Sequence, residues 1–283
     1  MRPFLALLLL CFLAAPGRAA APPATFSGPG LAVELVCDAD VVQPGQTFHL
    51  GLWIRHQPGY HTYWQNPGIA GLPTQLRPQL PPGFTVGPLL FPPPDKVHMA
   101  ALRVHGYERD VLLALPITAP SHLSDGLLTI PAEASWMCCQ RTCNPGFAKL
   151  SLTIRSGSPS IPNATWSPRF AALRAAQPPP LESWTLTARR RDAAIELTAL
   201  PPPGLPLPSA PQFFSLDNLI CSHPRQAWLP YENGYQVLLS LSDFLPPDQT
   251  QLRGLLFAQG SWLPGPAAPY AAIAVPISPR SAP

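Results

Sequence analysis

Short runs of apolar or alternating residues, separated by turns rich in proline and glycine, dominate this sequence. In the run LAVELVC (31–37), Val33, Leu35 and Cys37 share one face, because side chains alternate across a strand. A QPGQ turn at 43–46 separates this run from TFHLGLWIRH (47–56). Later runs of the same kind are GFTVGPLLF, DVLLALPIT, GLLTIPAEASWM and AKLSLTIRS. Short strands at this spacing predict an all-β sandwich or barrel.

The pattern breaks at SGSPSIPNATWSPRFAALRAAQPPPLES, which has Ser and Pro at both ends and one predicted helix, from Pro168 to Ala176. Apolar runs of strand length then resume as WTLTARRR, AAIELTAL, PQFFSL, YQVLLSLSDF, QLRGLLFAQG and YAAIAVPIS. We therefore predict two β-sandwich domains in tandem, at 27–158 and 182–279, with a linker at 159–181 between them.

Composition agrees with extended structure. The 283 residues include 42 prolines, which disfavour long helices because an internal proline removes a donor and clashes with the preceding turn. Only 12% of residues are charged and 46% are hydrophobic, the reverse of a disordered composition. The net charge of +3 includes just two lysines, so no nucleic-acid partner is predicted. We interpret the run Arg189–Arg191 as a solvated strand end.

Residues 1–20, MRPFLALLLLCFLAAPGRAA, have the features of a secretory signal peptide. Arg2 precedes an apolar core of about 12 residues, shorter than the ~20 that a membrane helix needs. No other stretch is long and apolar enough to span a bilayer. We therefore expect a soluble protein outside the cytoplasm.

Cleavage of that peptide would leave five cysteines: Cys37, Cys138, Cys139, Cys143 and Cys221. An odd number in an oxidising compartment predicts at least one free thiol or an intermolecular partner.

The segment ASWMCCQRTCNPG (134–146) carries the clearest chemistry. Cys139 and Cys143 flank a three-residue loop at a strand end, so their Cα atoms can come within disulfide range. A bond across so short a loop constrains the unfolded chain little, and Arg141 between the two sulfurs favours a thiolate. Thiol–disulfide exchange is therefore the favoured interpretation, ahead of a structural hairpin disulfide and of metal binding. C-C-x3-C lacks the paired spacing of a zinc site, and we predict no metal or cofactor.

A second dense segment, PGYHTYWQNPGIAGLPT (58–74), is interpreted from its residues alone as an aromatic-rich loop at a sandwich edge. His61 is a possible metal ligand or general base. An ordinary hydrogen-bonded histidine is the interpretation that we favour.

Taken together, GYHTYWQNPGIAGLPT, GYERDV (106–111) and WMCCQRTCNPG (136–146) resemble the N-terminal periplasmic region of DsbD-type thiol:disulfide interchange proteins, in the ScsB-like branch. The match is specific over about 31–158 and weaker through the second half, at FFSLDNLICSHPRQAW and the final AAIAVPI. The resemblance implies that both domains are immunoglobulin-like and that the protein lies in the bacterial periplasm.

The resemblance also implies a role: a membrane-embedded DsbD- or ScsB-like donor reduces the cysteine pair, which reduces disulfides in thioredoxin-fold clients. Cys139 and Cys143 match the redox pair, with Cys143 as the attacking thiolate. The matching aromatic segment implies that Tyr60, Tyr63 and Trp64 lie near the pair and shield it, and we place His61, Arg141 and Pro145 in the same neighbourhood. The activity expected is that of a protein-disulfide reductase.

Two features depart from the family pattern. Cys138 has no counterpart there, and the sequence ends at Pro283 without the membrane segment or thioredoxin-like domain of full-length relatives. Two alternatives therefore stay open: a non-enzymatic adaptor with structural cysteines, and a copper-tolerance protein, which the ScsB-like link and His61 suggest. The presence of only three methionines disfavours a methionine-rich copper site.

Overall fold

The computed structural model describes residues 22–279, apart from residues 100, 246–247 and 266–267. The predicted signal peptide at 1–20 lies outside these residues. The described part of the chain folds into two immunoglobulin-like β-sandwiches in tandem, which confirms the predicted fold class. No helix in that part has both the length and the apolar character needed to cross a membrane.

The first sandwich is built from two five-stranded sheets and a small third sheet. One large sheet has the order β1-β2-β4-β10-β7 and the other β13-β3-β12-β11-β6, while the small sheet has the order β5-β9-β8. The strands are β1 Thr25–Gly28, β2 Leu31–Cys37, β3 Ala39–Val42, β4 Thr47–His56, β5 Thr62–Gly68, β6 Gln75–Pro78, β7 Thr85–Val86, β8 Asp95–Met99, β9 Leu102–Tyr107, β10 Val111–Thr118, β11 Gly126–Cys139, β12 Cys143–Ser156 and β13 Ile161–Pro162.

The core of the first sandwich forms because both large sheets alternate inward apolar and outward polar residues. Along β11, Ile130, Ala132, Ala134 and Trp136 are buried while the residues between them are partly exposed. Leu50, Leu52 and Ile54 of β4 belong to the same buried cluster, contributed from the facing sheet. The two inner faces thus supply one apolar core, as in other β-sandwiches.

Helix α1, Ser167–Ala175, lies where the sequence predicts a helix and packs on the outside of the first sandwich. Phe170 and Leu173 are buried against Val36, Leu112 and Ala114. Pro168 occupies the first helical turn, where its missing N–H has no intrahelical partner to lose. The chain therefore leaves the first sandwich along its outer surface.

The second sandwich wraps a single sheet, in the order β16-β19-β20-β14-β15-β18-β17, around its own core. Its two halves are joined by a short parallel pairing of β14 with β20. Trp184 and Trp262 stack edge to face in this core, and the Trp184 indole donates to the Trp262 carbonyl at 2.8 Å. The strands are β14 Thr185–Arg191, β15 Ala194–Leu200, β16 Ser209–Ser215, β17 Trp228–Tyr231, β18 Gly234–Ser240, β19 Gln251–Gln259 and β20 Tyr270–Ser278.

The small sheet β5-β9-β8, hereafter the cover sheet, has two differently occupied faces. Val97 and Val104 are paired across β8 and β9, and they pack with Tyr63 and Cys139 in a separate apolar cluster. The alternate positions Lys96 and His105, also paired, lie on the opposite face. One face of the cover sheet therefore packs on Cys139, and the other face is free to pack on a different part of the molecule.

The second sandwich packs behind the cover sheet. Phe214 of β16 packs against Trp64 and His105, with the His105 and Phe214 ring centroids 4.9 Å apart. The buried Asn66 side chain donates to the Ser215 carbonyl at 2.9 Å and also to the Asp217 carbonyl. The two sandwiches are therefore joined at this point both by aromatic packing and by hydrogen bonds from a buried amide.

Gly68 is required at the same interface. Its φ of +86° lies in the left-handed region, and a Cβ there would overlap the Ser222 side chain. The Ser222 hydroxyl accepts from the Ile69 N–H at 2.9 Å and donates to the Arg103 carbonyl at 3.2 Å, so it ties both β5 and β9 to the second sandwich.

We expect His105→Gln to reduce the decrease in the free energy of unfolding that the protein shows as the pH falls. Burial lowers the pKa of His105 to about 4, from an ordinary value of 6.5, despite the Asn66 carbonyl that its ring contacts. Between these values the unfolded chain binds a proton that the folded chain does not, so stability is present above pH ~6.5 and is lost as the pH falls toward ~4. The loss attributable to His105 is on the order of 2–3 kcal/mol.

Urea unfolding of the wild type and of His105→Gln at several pH values between 7 and 4 measures this loss. The exposed His122 gives a matched control in His122→Gln, which should follow the wild type. If the free energy of unfolding changed equally with pH in all three proteins, His105 would not be the group responsible for the loss.

Candidate active site

The cysteine pair lies at the tip of the longest hairpin in the described structure. β11 and β12 pair in unbroken register from Gly126 opposite Ser156 to Cys139 opposite Cys143. The two cysteines form a disulfide, with Cα atoms 4.1 Å apart. Directly opposed residues of an antiparallel ladder are close enough for this bond, so the hairpin itself brings the two sulfurs together.

The two cysteines differ sharply in exposure. Cys139 is 0% exposed, whereas Cys143 and the loop residue Arg141 are exposed. Cys139 is covered because His61 continues the sheet beside it: the His61 N–H donates to the Cys139 carbonyl at 2.9 Å, and the Cys139 N–H donates to the His61 carbonyl at 3.0 Å. An incoming thiol can therefore reach the disulfide from the Cys143 side.

Tyr63 is the polar group in direct contact with the buried sulfur. Its hydroxyl lies 3.1 Å from Cys139 Sγ, in donor geometry, and 3.1 Å from Met99 Sδ. Burial, and then the neighbouring Cys138, raises the pKa of Tyr63 to about 12, so the hydroxyl keeps its proton and can donate it. Gly71, at φ +103°, lies directly against the Tyr63 ring where no Cβ would fit.

His61 supports Tyr63 as a neutral side chain. Its Nε2 lies 3.3 Å from the Tyr63 hydroxyl, and the two rings stack edge to face. Burial, and then the nearby His56, lowers the pKa of His61 to about 4. In the Nε2–H tautomer, His61 donates to the Tyr63 oxygen and leaves the phenolic proton for sulfur.

Met99, which none of the sequence motifs includes, is the side chain beside the exposed end of the disulfide. It ends β8, and its Sδ lies 3.7 Å from Cys143 Sγ. With Val97, Val104 and Met137 it belongs to the apolar cluster around Cys139. The alternation of Val97 and Met99 in DKVHM was the available signal, because it places both residues on one strand face.

The other residues predicted near the cysteine pair, Tyr60, Trp64 and Pro145, lie in three different environments. Tyr60 is partly buried against the first sandwich core, under Gly30. Trp64 lies on the opposite face of β5 from Tyr63, where it packs on His105 and Phe214 rather than on the disulfide. Pro145 is exposed on β12 opposite Met137, two residues beyond Cys143.

The other cysteines of the described chain are free: Cys37, Cys138 and Cys221. Cys138 points into the first sandwich core, away from Cys139, as strand alternation predicts. Burial raises the pKa of Cys138 to about 11. Within the described residues, no group of three or more His, Cys, Asp or Glu side chains is arranged to hold a metal ion.

Fold and site together define a class: a tandem β-sandwich protein with a half-exposed disulfide at a hairpin tip. Residues 31–154 match the sequence model of the family described as thiol:disulfide interchange protein DsbD, N-terminal. This match covers most of the first sandwich, including the cover sheet and the cysteine hairpin. It confirms the family resemblance that the motifs predict.

Among solved structures, the N-terminal periplasmic domain of ScsB from Proteus mirabilis is similar at a TM-score of 0.66 and 15% identity, over 90% of this chain and 99% of that chain. Because both chains are covered almost fully, the shared fold includes both sandwiches. The reduced DsbD N-terminal domain of Neisseria meningitidis also matches, at a TM-score of 0.28 and 14% identity, over 45% of this chain and 89% of that chain. No curated protein matches this sequence.

We expect Tyr63→Phe to slow reduction of the disulfide by dithiothreitol. Breaking the bond at Cys143 expels Cys139 as a thiolate, and the Tyr63 hydroxyl is the donor that can stabilise it. A hydrogen bond to a charged group contributes roughly 1.5–3 kcal/mol, which corresponds to a rate loss of about 10- to 150-fold.

Tyr107→Phe is the matched control. It also removes a buried tyrosine hydroxyl, one that donates to the Pro92 carbonyl and to neither sulfur. Stopped-flow reduction of the two variants and the wild type makes the comparison. A Tyr63→Phe rate equal to that of Tyr107→Phe would show that the hydroxyl does not act on the leaving sulfur.

Proposed function

We propose that this protein is a periplasmic thiol–disulfide exchange domain that relays reducing equivalents through Cys139 and Cys143. The observation that carries the proposal is the asymmetric disulfide at the hairpin tip, with Cys143 exposed and Cys139 buried against the Tyr63 hydroxyl. The DsbD N-terminal family match over the same segment supports it. We take 27–158 as the exchange domain and 182–279 as a second sandwich joined to it through 159–181.

The proposed cycle begins with reduction of the disulfide. A thiolate of a membrane-embedded DsbD- or ScsB-like donor attacks Cys143 Sγ, forms a mixed disulfide and expels Cys139 as a thiolate. The donor's second thiolate then attacks the donor's first sulfur, which is held in the mixed disulfide, and releases Cys143 as a thiolate. The donor leaves oxidised, and both cysteines of this protein are reduced.

The second half of the cycle passes the electron pair to a client. The exposed Cys143 thiolate attacks the disulfide of a thioredoxin-fold client and expels one client thiolate. Cys139 then attacks Cys143 Sγ, restores the intramolecular disulfide and releases the client's second thiolate. Two electrons move and each bond broken is matched by one formed, so the two sulfurs suffice without a cofactor.

Burial of Cys139 has a direct consequence for selectivity in this scheme. An intermolecular partner can reach only Cys143, whereas Cys139 reaches Cys143 within the hairpin, where their Cα atoms are 4.1 Å apart. Resolution is therefore intramolecular and favoured by proximity. Mixed disulfides with clients should be short-lived in the wild type.

We expect Cys139→Ser to trap mixed disulfides and Cys143→Ser to abolish exchange. Without Cys139, the exposed Cys143 still attacks but cannot be resolved, whereas without Cys143 the remaining sulfur is buried. Oxidised glutathione and a thioredoxin-fold protein serve as probes, with adducts detected by mass spectrometry. Cys221→Ser, which changes a free cysteine outside the pair, is the matched control and should exchange as the wild type does.

Two results would contradict the proposal. One is a Cys139–Cys143 bond that resists millimolar dithiothreitol in the folded protein. The other is wild-type client binding by the Cys139→Ser/Cys143→Ser double variant together with no exchange by the wild type, which would indicate an adaptor.

A further inference from the structure

A positively charged cleft lies between the back of the cover sheet and the second sandwich. Its volume is about 780 Å³. Lys96 of β8 and Arg103 of β9 line one wall, and Arg225, which follows the Ser222 contact, lines the other. The cleft therefore gathers three cations from two sandwiches that are far apart in sequence.

These three cations have no ion-pair partner among the described residues. No acidic side chain is among the described residues that line the cleft. Partial burial, and then the charges of Arg103 and Arg225, lower the pKa of Lys96. Like charges held this close repel one another, so an anion placed among them would relieve the repulsion.

The cleft walls are fixed by specific contacts. The Gln226 side chain accepts from the Phe213 N–H at 2.7 Å and donates to the Phe213 carbonyl at 2.7 Å, which fastens the Arg225 segment to β16. Gln226 also accepts from the Trp228 indole at 3.2 Å, and the Tyr235 hydroxyl donates to the Pro208 carbonyl at 2.7 Å. Two aromatic side chains are thereby held beside the cations.

The backbone of one wall is itself distorted. The pairing of β16 with β19 shifts register between Ser209 and Gln212, and Ala210, inside this bulge, has φ +52°. A non-glycine residue in the left-handed region is unusual, and strain of this kind concentrates at functional sites. The residues of this irregularity, 209–212, line the cleft together with Lys96 and Arg103.

A strand edge lies next to the cations. β17 ends the seven-stranded sheet and pairs on one side only, with β18. Trp228 and Pro230 of β17 line the cleft, while Leu229 is 61% exposed. An extended peptide can add to such an edge through main-chain hydrogen bonds, with Pro230 offering its carbonyl but no N–H, and can direct alternate side chains to one face.

We propose that this cleft binds an acidic segment of a partner protein, with the segment extended along β17 and its carboxylates placed among Lys96, Arg103 and Arg225. A guanidinium pairs well with a carboxylate, and Trp228 and Tyr235 provide apolar surface for the residues between. The site lies on the face of the cover sheet opposite the disulfide, so it is separate from the exchange site. Binding there does not depend on whether Cys139 and Cys143 are oxidised or reduced.

The test uses the oxidised full chain without reductant, so that its outcome does not depend on disulfide exchange. The probe is a capped peptide with three Glu residues alternating with Val, and the same peptide with Gln in place of Glu is its control. Isothermal titration at low and at raised salt measures binding. We expect saturable binding of the Glu peptide alone, weakened by salt because the interaction is between charges.

Arg103→Gln/Arg225→Gln should weaken binding of the Glu peptide at least tenfold, and Arg225→Gln, a change in an exposed side chain, should weaken it partly. Arg155→Gln, in an exposed strand position away from the cleft, should leave binding unchanged. Absence of saturable binding, or equal affinity in the double variant, would overturn the proposal. Citrate binding as tight as the peptide, with the same sensitivity to the variants, would overturn it in favour of a small-anion site.

Discussion

The register of the β11–β12 hairpin is the constraint on which the candidate site depends. Fourteen consecutive residue pairs fix the opposition of Cys139 and Cys143, and the alternation of Ile130, Ala132 and Ala134 toward the core fixes the register. A slip by one residue would turn these side chains to solvent and move the cysteines out of opposition. The sandwich core thus sets the geometry of the disulfide from a distance of many residues.

At the tip this alternation is broken, since Cys138 and Cys139 are both buried. Cys138 faces the sandwich core, and Cys139 faces the cover sheet, which buries a position that would otherwise be open to water. The cover sheet is in turn held from behind by Asn66 and by the Trp64, His105 and Phe214 cluster. The second sandwich is therefore part of the structure that keeps Tyr63 against Cys139.

Much of this arrangement follows from sequence patterns. Alternation and turn residues located most of the long strands, the helix near 168–176 and the hairpin that closes Cys139 on Cys143. The cover sheet was missed because its strands are short, and because β5 and β9 pair through a register shift between Tyr63 and Gly68. The packing of Trp64 on Phe214 could not be read locally either, since that partner lies about 150 residues away and only the folded interface brings the two rings together.

Two buried free thiols in the first sandwich, Cys37 and Cys138, could scramble a reactive disulfide if they were thiolates. Burial raises the pKa of Cys37 to about 12 and that of Cys138 to about 11. At neutral pH Cys138 is therefore almost entirely protonated, and only the thiolate attacks a disulfide. Cys138 also points away from Cys139 on the opposite strand face, so attack on the neighbouring bond is disfavoured by direction as well as by protonation. Apolar burial, the same property that limits access to Cys139, is what keeps an adjacent cysteine compatible with a reactive pair.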